Sequence, residues 1–234
     1  MAFETDPTMP RDGDGADTGA HVPLWERQLR AALAGSSEAE PRPIVRLELP
    51  LNADRLIKPE WFSGFKRAAV LVPIFVREQG PTVLLTRRSE SLRSHKGQIA
   101  FPGGRRDDTD VSAVDNALRE AEEEIGLPRQ HVEVIGYLDD YPTITRYRVT
   151  PVVGIVREPP ELHADAAEVA TIFEVPLSLL LDSASYERKF FVRENVKTPF
   201  FEVLFDEHRI WGATAGMLRN FCETVELWRD GGRL

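Results

Sequence analysis

Apolar and polar positions divide the chain into segments of different period. Arg67 to Val76 is a nearly unbroken apolar run rich in β-branched residues, which predicts a buried strand. Thr82 to Thr86 predicts a second strand, with Arg77 to Pro81 as the turn between them. Further strands are predicted at His131–Leu138, Val149–Val156, Val169–Val175, Lys189–Val192 and Phe200–Phe205. Two longer segments follow the helical period. Val114, Leu118, Ala121 and Ile125 recur at steps of four, three and four, so a helix is predicted over Ser112–Ile125. Ser112 with Asp115 three residues on suits its start, and Gly126 suits the position after its end. Met217, Leu218, Phe221, Val225 and Trp228 make a similar stripe along Ala213–Trp228, and Leu24–Leu33 reads as a shorter amphipathic helix.

The remaining segments have no such period. Residues 87–104 carry three glycines and one proline, which predicts a long functional loop. Gly35 to Pro43 is a linker by composition, and residues 1–21, rich in Gly, Asp, Thr and Pro, are expected to be a disordered acidic tail. The organisation is then a tail at 1–21, a helix and linker at 22–62, and one domain at 63–230. Strands mixed with two substantial helices indicate an α/β or α+β domain.

Composition narrows the partners. The 234 residues include one cysteine, Cys222, which excludes a disulfide framework and a cysteine-rich zinc site. Cys222 shares a helix side with Leu218 and Val225, so it reads as core. The longest apolar run, Ala68 to Val76, has nine residues, against about 20 for a membrane span. Residues 1–21 lack the apolar centre of a signal peptide. These features predict a cytoplasmic protein with no membrane partner. The net charge of -9 argues against nucleic acid as a partner.

That charge is unevenly spread. Residues 22–104 hold thirteen bases and eight acids, whereas residues 105–124 hold three bases and eight acids. The basic part ends in the run Arg87, Arg88, Arg93 and Lys96, and the acidic block ends in the predicted helix. On a wheel of 100° per residue with Val114 at zero, Glu120 lies near about -120° and Glu124 near about -80°, with Glu123 flanking them at about 180°. Like charges four apart destabilise a helix by roughly 0.2–0.5 kcal/mol, and acids in its last turns oppose the macrodipole at about 0.3–1 kcal/mol each. A bound cation reverses both effects. With no His or Cys in the block, oxygen ligands suit Mg²⁺ or Mn²⁺.

Phe101-Pro102-Gly103-Gly104 followed by Arg119-Glu120-Ala121-Glu122-Glu123-Glu124-Ile125-Gly126-Leu127 resembles the box of Nudix hydrolases. The second half matches at every fixed position. In the first half Asp110 stands where the family has Glu, and eight residues rather than seven separate it from Arg119. Leu84-Leu85-Thr86-Arg87-Arg88-Ser89, then Arg93, Gly97 and the Phe-Pro-Gly-Gly run, is similar to the signature that precedes the box in the coenzyme A diphosphatase branch. Ile210-Trp211-Gly212-Ala213-Thr214-Ala215 is similar to a later segment of that branch.

The resemblance implies an α-β-α sandwich with a mixed sheet. It also implies Mg²⁺- or Mn²⁺-dependent hydrolysis of a small anionic diphosphate such as coenzyme A, giving 3′,5′-adenosine bisphosphate and 4′-phosphopantetheine. Glu120 and Glu124 are the expected metal ligands. Glu123 is a further ligand or the base, and Arg119 pairs with one of the box carboxylates. Gly103 and Gly104 let the loop approach the site, and Arg93 with one of Arg87 or Arg88 meets substrate, since alternation turns those two apart. Glu122 reads as surface, and His95 as a loop residue without a role. Another nucleoside diphosphate derivative, such as ADP-ribose, remains an alternative, as does a non-catalytic Nudix-fold binding module. Oligomeric state stays open, with Leu24–Leu33 as one surface on which a homodimer could form.

Overall fold

The computed structural model describes residues 22–39, 42–45, 64–92, 94–193 and 196–231. The expected acidic tail at 1–21 lies outside these residues, as does Arg93.

A mixed sheet forms the centre. Its two longest strands, β1 (Lys66–Phe75) and β7 (Tyr147–Val156), run parallel in unbroken register from Lys66↔Tyr147 to Phe75↔Val156. Both carry near-continuous apolar runs because each is covered on both faces. The strands β2 (Thr82–Arg88), β3 (Ile99–Ala100) and β5 (Glu133–Tyr137) complete the order β3-β2-β1-β7-β5. Three more strands pair alongside: β4 (Gly103–Arg105) with β1, β6 (Tyr141–Pro142) with β7, and β8 (Val169–Pro176) with β2.

The segment predicted as an aperiodic loop, 87–104, therefore begins with the last two residues of β2 and includes β3 and the first two residues of β4. Strand β1 meets β2 only at its far end, through Ile74↔Val83 and Phe75↔Thr82. Over the rest of their length the two strands part. The chain from 99 to 105 runs between them, with β3 on β2 and β4 on β1. This division places the glycines Gly103 and Gly104 inside the sheet.

Helix α1 (Leu24–Leu33) and the C-terminal helix lie on one face, and α2 (Ala113–Ile125) on the other. Leu71, Phe75, Leu84, Ala117, Ala121, Ile125 and Val152 form the core beneath α2. Val72, Ile74, Val83, Leu85, Leu29, Leu33 and Phe221 form the opposite core. The apolar face of α1 is thus consumed within its own chain. A short helix α3 (Leu177–Leu180) leads to a separate three-stranded antiparallel sheet of β9 (Glu187–Arg193), β10 (Val196–Phe205) and β11 (His208–Trp211). The last helix, α4 (Ala213–Arg229), buries Leu218, Phe221, Cys222 and Val225, whereas Trp228, also on the predicted stripe, is exposed at the last turn. The result is an α-β-α sandwich. The segment that reads as a linker also docks: Arg42 is buried and bonds Asp140 at 2.7 Å, and Glu38 accepts from the Ala113 N–H at 2.7 Å.

Candidate active site

Helix α2 carries the acidic block. The Ser112 side chain accepts from the Asp115 N–H at 2.9 Å, and Gly126 takes a left-handed φ of 66°. Beyond that, the loop after β7 closes the helix end. The His163 N–H donates to the Ile125 carbonyl at 3.0 Å, and the Asp165 N–H to the Glu124 carbonyl at 2.9 Å. These donors satisfy carbonyls that the helix leaves open and soften the negative end of its dipole.

The four glutamates of the box segment have different environments. Glu122 is exposed, as predicted. Glu123 points outward, its side chain 60% exposed, and accepts from Arg119 at 2.9 Å. Glu120 is half-buried and lies 2.9 Å from the same guanidinium. Glu124 is the buried member, with one oxygen 3.2 Å from the Gly103 N–H and the other 3.8 Å from Arg88 Nη1. Burial pushes the Glu124 carboxyl up to about 7. The Gly103 N–H and Arg88 oppose that rise, and the charges of Glu120 and Glu168 add to it. Burial also raises Glu120, against the pull of Arg119 and with the charges of Glu123 and Glu168.

Arg119 is the hub of the helix. Its Nε and Nη2 each bond one oxygen of Asp110 at 2.9 Å, while its other contacts go to Glu120, to Glu123 and, at 3.4 Å, to the Arg105 carbonyl. Asp110 is only 5% exposed and also accepts from the Asp107 N–H at 2.7 Å. Arg119 holds its carboxyl below the ordinary range, and Asp110 in turn raises Arg119. The acid that departs from the family spacing is therefore the anchor of the arginine.

Gly103 and Gly104 are required by space. A Cβ on Gly104 would lie 2.5 Å from a Glu120 oxygen. Gly103 has φ 153°, and a Cβ there would lie 2.5 Å from the Ala69 carbonyl oxygen. Of the two strand arginines, the structure brings Arg88 to the carboxylates. Arg87 is exposed and pairs across the strand with Ile99, on the alternate face. The His95 ring meets Gln98 in the loop at 2.8 Å and touches none of the box residues. Glu168, which no motif marks, acts on both Glu120 and Glu124 through its charge. Its approach follows from the 163–165 bonds to the helix end and from the Ser89 N–H bond to its own carbonyl at 2.8 Å.

Among the described residues, no three acidic, histidine or cysteine side chains already converge as a cation cage. The donor set nonetheless fits a hard cation. Glu120 and Glu124 are carboxylates whose charged forms burial and neighbouring carboxylates disfavour, and a cation relieves both. Mg²⁺ uses one or two carboxylates, with waters and substrate phosphate filling its other positions.

The NUDIX domain family matches residues 65–193. The uncharacterized Nudix hydrolase NudL of Photorhabdus laumondii is 44% identical over 182 residues, covering 78% of this chain and 94% of its own length. The protein of the same name from Escherichia fergusonii is 47% identical over 156 residues, covering 66% and 80%. Among solved structures, the MutT protein from Methanosarcina mazei Go1 aligns over 73% of this chain and 99% of its own at 18% identity, with a TM-score of 0.45. The chain belongs to the Nudix family. It is a hydrolase of pyrophosphate bonds in nucleoside diphosphate derivatives, with the Nudix fold that the box implies.

Proposed function

We propose that the protein is a divalent-metal-dependent diphosphatase of coenzyme A or its derivatives, releasing 3′,5′-adenosine bisphosphate and 4′-phosphopantetheine. The observation that carries the reading is the approach of Arg88, from the basic run before the box, to Glu124 at 3.8 Å. The run that resembles the coenzyme A branch and the carboxylate helix thereby meet at one point. Coenzyme A carries a diphosphate and a 3′-phosphate, and guanidinium groups suit such anions.

Water adds to one phosphorus, the bridging P–O bond breaks, and the oxygen leaves on the other phosphate. Mg²⁺ or Mn²⁺ bound at Glu120 and Glu124 would lower the pKa of that water and neutralise charge on the phosphate oxygens. Glu123 is positioned at the solvent side to take the water's proton or to serve as a further ligand. Arg119 holds Glu120 and Glu123 in place against the buried Asp110. Gly103 supplies the N–H that orients Glu124, and Gly104 leaves room for Glu120. Arg88 faces the phosphates, and Arg93 is proposed for the same task.

The test is a substrate panel with Mg²⁺ or Mn²⁺: coenzyme A, acyl-coenzyme A, ADP-ribose, a dinucleotide and a nucleoside triphosphate, ranked by kcat/KM. Coenzyme A or an acyl form should rank first, with 3′,5′-adenosine bisphosphate as product. ADP-ribose in first place would move the assignment to the alternative. Binding of a diphosphate with no turnover at either metal would make the chain a Nudix-fold binding module.

A further inference from the structure

We propose that Arg88 is a stand-in cation. It and the divalent metal are alternative partners of one Glu124 oxygen, so that metal binding releases the guanidinium to a substrate phosphate. This rests on the reading of Glu120 and Glu124 as metal ligands. Binding of metal and of substrate are then coupled through one side chain.

The contrast between two arginines motivates it. Arg119 makes four contacts at 2.9 Å, two to Asp110 and one each to Glu120 and Glu123, and is locked. Arg88 stands 3.8 Å from Glu124, beyond hydrogen-bond length. Its Nε is buried without a hydrogen-bond partner among the described residues. An unpaired buried donor is unfavourable, so this pose leaves Arg88 with bonds still to gain.

The base of the side chain is fixed while its end is not. The Arg88 N–H donates to the Gln98 carbonyl at 2.9 Å, and its carbonyl accepts from the Gly97 N–H at 3.1 Å. The register of β2 against β8 also shifts between Arg87 and Arg88, an irregularity that re-aims side chains. Any response of Arg88 to a cation is therefore a change of side-chain torsions about a clamped backbone. Glu124 offers two oxygens, one held by the Gly103 N–H and one facing Arg88. The second is the oxygen with the weaker partner, and the one a divalent cation can take at least cost. The displaced guanidinium would still sit at the rim of the metal site, where the phosphates bind.

The experiment measures Mn²⁺ binding to the full chain without substrate, from the electron paramagnetic resonance signal of free Mn²⁺. Arg88→Gln should bind Mn²⁺ about five- to tenfold more tightly than the wild type, because a competing positive charge near the ligand oxygen is gone. Arg88→Lys should stay near the wild type, and Arg87→Gln, on the other face, should shift affinity less than about twofold. A second measurement follows 3′,5′-adenosine bisphosphate binding by calorimetry with and without Mg²⁺. Mg²⁺ should raise that affinity in the wild type, and Arg88→Gln should lose about tenfold of the gain.

Unchanged or weaker Mn²⁺ binding by Arg88→Gln would overturn the proposal. Weaker binding would make Arg88 a residue that holds Glu124 in ligand geometry. An undiminished Mg²⁺-dependent gain in the same variant would overturn it as well. A wild type that binds no Mn²⁺ would overturn the metal reading itself, and this inference with it.

Discussion

Glu124→Gln should make the metal-free protein more stable while abolishing turnover. Glu124 is 4% exposed, and its carboxyl is pushed up to about 7 from an ordinary 4.5. Below about pH 4.5 the carboxyl is protonated in both folded and unfolded chains. Between there and about 7 the folded chain holds a proton that the unfolded chain has lost. The stabilisation associated with that proton is complete at low pH and disappears as pH rises through about 7. A shift of this size corresponds to roughly 3 kcal/mol, at about 1.4 kcal/mol per pH unit. Glutamine is uncharged at every pH, and its carbonyl can still accept from the Gly103 N–H, so it removes most of this penalty. Loss of the loose Arg88 contact subtracts a little. The expected gain at pH 8 is about 2–3 kcal/mol, or roughly 5–10 °C in Tm for a domain of this size. Thermal unfolding followed by circular dichroism in EDTA, at pH 5 and pH 8, is the assay. The two proteins should nearly coincide at pH 5 and separate at pH 8. Saturating Mg²⁺ should then stabilise the wild type and leave the variant unmoved. A variant less stable at pH 8, or a gap that does not change with pH, would refute a buried, cation-seeking carboxylate.

Asp110→Asn should lower kcat/KM about 10–100-fold by releasing Arg119, with a stability loss of about 2–3 kcal/mol for a broken, largely buried pair; steady-state kinetics and urea unfolding read both. Asp110→Glu should recover part of the activity, and a wild-type rate in the asparagine variant would show that the anchor is dispensable. Gly104→Ala should displace the Glu120 carboxylate, which a Cβ would meet at 2.5 Å; calorimetry should show weaker Mn²⁺ binding in a protein that still melts cooperatively. Gly103→Ala meets backbone rather than a movable side chain, at 2.5 Å from the Ala69 carbonyl oxygen. It should therefore lower Tm by several degrees, and an unchanged Tm would show that the 99–105 segment yields easily.

The parts of this protein that read directly from sequence are those whose signal is local. Helix α2 declares itself through a 3.6-residue period, a serine at its start and a glycine at its end, and all three are present in the structure. Strands β3 and β4, with two and three residues, are too short to show a period of two. Their strand character comes from the partners they meet in the gap between β1 and β2. Glu168 lies 44 residues beyond Glu124, and the capping of α2 by His163 and Asp165, together with the Ser89 N–H bond to the Glu168 carbonyl, brings it near. Asp110 defeats a rule counted in residues. The turn at 107–110, closed by the Asp110 N–H on the Asp107 carbonyl and by the Asp107 N–H on the Asp110 carboxylate, carries the acid to Arg119 despite the extra residue.

The same distinction explains the electrostatics of the site. Counted along the helix, Glu120 repels Glu123 and Glu124 from three and four residues away, and a cation is the evident remedy for all three. In space the remedies differ. Arg119 neutralises Glu123 at the surface and Glu120 beneath it, with Asp110 holding the guanidinium in place. Glu124 receives only a backbone N–H and a distant arginine, in the most buried position of the three. The repulsion that the sequence spreads over two turns is therefore concentrated at one carboxylate. Arg119 cannot relieve that carboxylate without abandoning its other partners. The charge deficit of the site thus falls at Glu124, beside the glycines that open the backbone there and the arginine that can give way.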